Sequence, residues 1–351
     1  MTPNGLFVTF YSYKGGVGRT LALANVAWAA AVDGKKVVII DFDLEAPGIS
    51  SILPFQNTMK QFYVDCNQSI KKGGLFELIL YYQRHQVVPA IPKFFSCNMI
   101  QHEKFKGEGS IHIIPAGKED KKYREKLQSF NWKDFYENEK INGRKFILTL
   151  KDTIMHQFDK PDLVLIDSRT GLTDIGGICT ILLPDIVVVL TGMNYQNLTG
   201  SKIIIDSIKK HSENRNKDDF FKPIRIITVA SHVPYDQEMD KTNERLKEGK
   251  KILKQDFDVK LHYVPILSLE ERLLVENLEN DMDDAGVLAI GYQKLYRMVY
   301  SAEHHVSENN ELIGAIHTVQ KNLNKEDKQW FISALENQLK EMGNYNLINR
   351  V

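Results

Sequence analysis

The chain has 351 residues, 43% of them hydrophobic and 26% charged, enough for one large α/β domain or two small ones with a core that needs no staples. Its 45 basic side chains balance 45 acidic ones, so no global field recruits nucleic acid or an anionic membrane. Three scattered cysteines, Cys66, Cys97 and Cys179, make no CxxC pair and argue against a zinc site or a disulfide framework.

The chain runs at once into Leu6–Phe10, without the basic start and small-residue cleavage site of a signal peptide. No apolar stretch approaches the ~18–20 residues of a membrane-spanning helix. A cytoplasmic location is expected. Short, continuous apolar runs follow at Val37–Ile40, Ile111–Ile114, Leu163–Ile166, Ile186–Leu190, Ile224–Val229 and Leu261–Ile266. Such runs suit strands covered on both faces. Amphipathic segments at Thr20–Val32, Phe146–Phe158, Gln196–His211 and Asp236–Phe257 alternate with them. The alternation predicts a doubly wound α/β domain with a mainly parallel sheet over about residues 1–300. Residues 51–109 read as a mostly helical insertion with one good helix at Gly74–His85, and 301–351 as a helical C-terminal tail.

The first strand leads through Tyr11-Ser12-Tyr13 into Lys14-Gly15-Gly16-Val17-Gly18-Arg19-Thr20, and then into a helix that opens with Leu21. Glycines let backbone N–H groups wrap phosphate oxygens where a side chain would clash. The following helix points its positive end at the same anion. Thr20 stands where a hydroxyl binds Mg²⁺ beside the β- and γ-phosphates. The competing reading is a glycine-rich structural turn that opens a helix.

Lys14–Thr20 resembles the deviant Walker A motif, KGGxGK[ST], of the ParA/MinD family of P-loop ATPases, and its spelling resembles a KGGVGR branch of that family. The resemblance implies a P-loop NTPase fold, ATP and Mg²⁺ as ligands, and a nucleotide-sandwich homodimer in which Lys14 reaches the partner's phosphates. Gly15, Gly16, Val17, Gly18, Arg19, Thr20 and Leu21 would then hold the nucleotide. One position departs from the pattern. Arg19 replaces the family's in-line lysine, and its larger planar fork grips phosphate differently.

Val37–Ile40 ends in Asp41-Phe42-Asp43-Leu44-Glu45, placing acids at a strand's carboxyl end, where open α/β sheets bind ligands. By the resemblance this is switch I. Asp43 matches the acid that orients the attacking water, and Asp41 is read as supporting the magnesium shell or the loop geometry, the competing reading being that both acids cap a loop. Leu163–Asp167 has the Walker B pattern, so Asp167 would hold Mg²⁺ through a water. Asp167-Ser168-Arg169-Thr170-Gly171 follows the family's DxxxG switch II, with the Gly171 N–H near the γ-phosphate. Arg169 is read as pairing with Asp174 or another acid, the alternative being an arginine finger. The resemblance also makes Ser231, His232 and Pro265, on loops after late strands, candidates for the adenine pocket. Trp132 and the aromatics around it read as a satellite hydrophobic cluster. Phe331, Leu335 and Leu339 line one face of the tail, but acids interleave its lysines and argue against a membrane helix.

Three functions follow as expectations. The first is an ATP-hydrolysing switch that dimerises on Mg-ATP and acts on a protein partner, in a bacterial defence or signalling module by association with the KGGVGR branch. The second is a nucleotide-binding sensor or adaptor with little hydrolysis, because of Arg19. The third, a ligase-like or kinase-like enzyme, lacks an acceptor-binding constellation.

Overall fold

The computed structural model describes residues 5–52, 54–57, 73–90, 98–171, 177–215, 223–234, 239–275 and 285–300. The chain divides into two units, Met1–Tyr296 and Arg297–Val351. The expected tail helix lies outside the described residues, as does Asp174.

Among the described residues, eight strands form one sheet in the order β3-β4-β2-β5-β1-β6-β7-β8. They are β1 (Leu6–Ser12), β2 (Lys36–Asp41), β3 (Asn98–Ile100), β4 (Ser110–Ile114), β5 (Leu163–Asp167), β6 (Ile186–Gly192), β7 (Arg225–Val233) and β8 (Val259–His262). All pairs are parallel except β3 with β4. This is the doubly wound, mainly parallel sheet that the run pattern predicts. β1, β5 and β6 are buried along their whole lengths, which explains why their sequences are continuously apolar rather than alternating.

The helices are α1 (Arg19–Val32), α2 (Leu75–His85), α3 (Lys121–Ser129), α4 (Trp132–Glu137), α5 (Gly143–Gln157), α6 (Tyr195–Arg215) and α7 (Met239–Leu253), followed by a helical stretch over 285–300. Helix α1 is buried nearly all round, as its run of alanines and leucines requires. One face of the sheet packs Phe7, Val38, Ile40 and Val164 against residues of α2 and α5. The same face continues over β1 and β6, where Tyr11, Val187 and Val189 pack against Leu198, Ile205 and Ile208 of α6. Phe135 is fully buried among Phe130, Trp132, Tyr136 and Phe146, with ring centroids 5.1–6.2 Å away, and it shares one core cluster with the sheet residues Phe7, Val38 and Val164, so these aromatics join the core itself rather than a separate satellite.

Two elements differ from the sequence reading. The 51–109 segment contributes the short strand β3, which closes the sheet edge antiparallel to β4. The last strand ends at His262 rather than Ile266. Pro265 has no N–H to give a ladder, and it opens a short 3-10 turn, Pro265–Ser268, instead.

Chain direction across the sheet reverses at its middle. From β1 the chain crosses to β2 on one side, whereas from β5, the neighbour of β1, it passes to β6 on the other. Open α/β sheets bind ligands at the carboxyl ends of strands where this happens.

Candidate functional site

The Lys14–Thr20 turn sits at that point. Gly16 and Gly18 have φ of 76° and 69°, left-handed values that L side chains rarely adopt. A Cβ added at Gly15 or Gly16 would meet nothing within 4 Å, so the outer face of the turn is open. It opens onto a cavity of about 530 Å³. Helix α1 begins behind the turn with no side-chain cap and no acid in its first turn, leaving its positive end directed at the cavity.

Below the turn, β2 and β5 deliver Asp41 and Asp167 to directly paired positions of the ladder. Asp167 is fully buried and both its oxygens are engaged. Its Oδ1 accepts from Arg19 Nε at 2.5 Å and its Oδ2 from Thr20 Oγ1 at 2.7 Å. The same guanidinium gives Nη2 to Asp43 Oδ2 at 2.7 Å. Arg19 is thus 8% exposed and holds the acid of β5 and that of the loop after β2 together. Burial alone would lower its pKa, but the charges of Asp167 and Asp43 raise it instead. Burial raises the Asp43 carboxyl against the pull of Arg19. Asp41, behind them, is raised well above the usual carboxylate range by burial and then by Asp167 and Asp43, while its Oδ1 accepts from the Asp43 N–H at 3.2 Å.

The mouth of the cavity is tied by a second pair. Arg169 Nη1 lies 2.5 Å from Glu45 Oε1, so the loops after β5 and β2 meet there. Gly171 has φ of 83°, and its carbonyl accepts from the Tyr11 hydroxyl at 3.2 Å. Lys14 is exposed, and its amine donates to Gln196 Oε1.

On the far side, Ser231 Oγ donates to the Val17 carbonyl at 2.7 Å and pins the turn to β7. His232 follows with φ of 55° at a bulge, where β7 carries one residue more than β8 between Ala230 and Val233. Its ring lies 5.3 Å from that of Tyr263. The cavity wall takes in Ser231, His232, Tyr263, Leu267 and Tyr292 here, and Thr20, Leu21, Arg19, Asp43, Glu45 and Arg169 opposite. Lys14, Val17, Asp41, Asp167, Gly171 and Pro265 stand outside that wall; Asp41 and Asp167 lie beneath it and Pro265 opens the turn that carries Leu267.

Sequence reasoning missed Tyr263 and Tyr292, which have no motif around them. It also missed Asn25 of α1. That buried amide accepts from the Leu274 and Val275 N–H groups at 2.8 and 3.2 Å and donates to the Leu21 carbonyl. A lone Asn in an alanine-rich helix was the available signal, because a buried polar group needs partners.

Among the described residues no group of three or more His, Cys, Asp or Glu side chains forms a metal cluster. Nor is any described helix long and apolar enough to cross a membrane.

A family model described as AAA domain (AAA_31) matches residues 6–220. The septum site-determining protein MinD of Helicobacter pylori is 41% identical over 69 residues, 18% of this chain and 26% of that protein. MinD of Bacillus subtilis is 28% identical over 124 residues, 32% of this chain and 46% of that protein. The matches therefore span less than half the length of either relative. Among solved structures, the cell division ATPase MinD of Pyrococcus furiosus aligns with a TM-score of 0.53 at 16% identity, covering 85% of this chain and 99% of that one. MinD of Pyrococcus horikoshii, complexed with Mg-ADP, gives 0.52 at 17% identity, with 84% and 96% covered. An ATP complex of Cyanothece McdA gives 0.54 at 15% identity, with 85% and 97% covered. At these identities the structural likeness is one of fold.

Proposed function

This chain belongs to the AAA domain family and has the ParA/MinD-like P-loop ATPase fold, and on that premise we propose that it binds Mg-ATP on Lys14–Thr20 and works as an ATP-driven switch on a protein partner. One observation carries the reading: the open glycine turn and the Thr20 hydroxyl line one cavity, and the Asp167 carboxylate lies just beneath it, 2.7 Å from that hydroxyl.

The donor set suits the ligand. Thr20 and Asp167 offer hard oxygens of the kind Mg²⁺ takes, and Mg²⁺ needs only one or two protein groups beside phosphates and waters. When bound, the ion neutralises charge on the β- and γ-oxygens. The amides of Gly15, Gly16 and Gly18 and the start of α1 hold the phosphate tail. His232, Tyr263 and Tyr292 flank the base, while Ser231 fixes the turn that faces it. Asp43 keeps lone pairs beyond the one given to Arg19, so it can orient a water for attack. Lys14, exposed and held by a neutral glutamine, is available to reach a second copy of the chain across the nucleotide.

A second reading, a nucleotide sensor with little turnover, is favoured by one observation. The Arg19 guanidinium is directed at two carboxylates rather than into the open turn. Phosphate release from purified full-length chain, compared with Asp43→Asn, separates the two. The switch reading expects turnover that Asp43→Asn abolishes, together with a doubling of mass by light scattering on adding a non-hydrolysable ATP analogue and no doubling for Lys14→Ala. Analogue binding with no turnover and a constant mass leaves the sensor.

A further inference from the structure

We propose that Arg169 selects triphosphate over diphosphate by exchanging Glu45 for the terminal phosphate, an inference that rests on the nucleotide reading of this same cavity.

Sheet order sets the direction of a bound nucleotide. The walls contributed after β7 and β8 carry Tyr263, Leu267 and Tyr292, and those after β2 and β5 carry Asp43, Glu45 and Arg169. The apolar end suits a base and the charged end the tip of the phosphate tail. That tip meets an acidic floor, since Asp43 and Asp167 outnumber the one cation between them, Arg19. An added phosphate there draws on positive charge beyond that of Arg19, from the magnesium ion on one side and from a side chain that faces it on the other.

Among the described residues of the cavity wall, Arg19 and Arg169 are the two arginines, and no lysine is present. Their situations differ. Arg19 is 8% exposed and grips two acids at 2.5 and 2.7 Å, so moving it leaves buried carboxylates unpaired. Arg169 is 30% exposed and its partner Glu45 is 49% exposed. Pairs in contact with water contribute little, so this one is cheaply broken. A phosphate dianion also outbids a single carboxylate for a guanidinium fork, which meets it through two parallel N–H bonds. Glu45 therefore holds Arg169 at the mouth until a tail long enough to reach it arrives. A diphosphate stops short and leaves the pair closed.

The test is calorimetric titration of full-length wild type, Arg169→Ala and Glu45→Gln with Mg-ADP and with a non-hydrolysable Mg-ATP analogue. The expected result is a triphosphate-to-diphosphate affinity ratio about tenfold lower in Arg169→Ala than in wild type. Glu45→Gln, which removes the competing carboxylate, raises the ratio. Should Arg169→Ala fail to fold, Arg169→Gln, shorter and uncharged but still polar, is expected to lower the ratio likewise. An unchanged ratio, or a ratio that Glu45→Gln lowers as far as Arg169→Ala does, overturns the proposal and makes the pair a structural tie. Wild type that binds neither nucleotide overturns the nucleotide reading itself, and with it this inference.

Discussion

Arg19 Nε lies 2.5 Å from Asp167 Oδ1, a buried contact that joins the cation of the glycine turn to the acid at the end of β5. With Asp43 on its other nitrogen, the guanidinium acts as the internal counter-charge of the site. Its role is structural before it is chemical.

Replacing Arg19 by Ala leaves Asp167 and Asp43 buried without their cation, and is expected to destabilise the chain by roughly 3–5 kcal/mol. Arg19→Lys keeps the charge but reaches only one carboxylate at a time, and should lose less. Urea unfolding of the nucleotide-free proteins measures both. Equal stability of wild type and Arg19→Ala would show that the pair is not formed.

Asp41 sets a pH dependence whose sign follows from its raised pKa. Below about pH 4, the range of an unperturbed aspartate, both folded and unfolded chains hold the proton and there is no penalty. As pH rises from there through the folded pKa, the unfolded chain releases its proton first, so stability falls. Above the folded pKa the full penalty persists. Asp41→Asn, whose side-chain oxygen still accepts from the Asp43 N–H, should therefore be more stable than wild type at neutral pH, with the advantage shrinking toward pH 4. Thermal melts of the two proteins from pH 4 to 8 test this. An advantage that does not change with pH contradicts it.

Asn25 ties α1, the helix behind the phosphate turn, to Leu274 and Val275, some 250 positions further along the chain. Asn25→Ala leaves two buried N–H groups without an acceptor and should cost about 2–4 kcal/mol in denaturant unfolding. A loss under about 1 kcal/mol would mean that water replaces the amide.

Most of the sheet was legible because a strand buried on both faces must be apolar throughout; Leu163–Ile166 and Ile186–Leu190 could be little else. The strand β3 was not, since Asn98–Ile100 is three residues long and carries no periodicity to detect. Pro265 was a visible stop signal within Leu261–Ile266, and the apolar run around it hid the end of β8. At the site, the spacing of Gly15, Gly16, Gly18 and Thr20 gave the turn and its open cradle. Spacing cannot give a side chain's direction, however, so the inward course of Arg19 and the meeting of Arg169 with Glu45 emerge only when β2 and β5 lie side by side. The bulge at His232 escaped for a similar reason, because it exists only relative to the register of β8.

The central claim is that the open turn before α1 clasps a magnesium nucleotide. Titrating the full-length chain with Mg-ATP in a calorimeter tests it most directly. Wild type should give saturable one-site heat, and Thr20→Ala, which removes the hydroxyl beside Asp167, should bind about tenfold more weakly or worse. Saturable heat that is identical in Thr20→Ala, or none in wild type from either ATP or ADP with magnesium, contradicts the account.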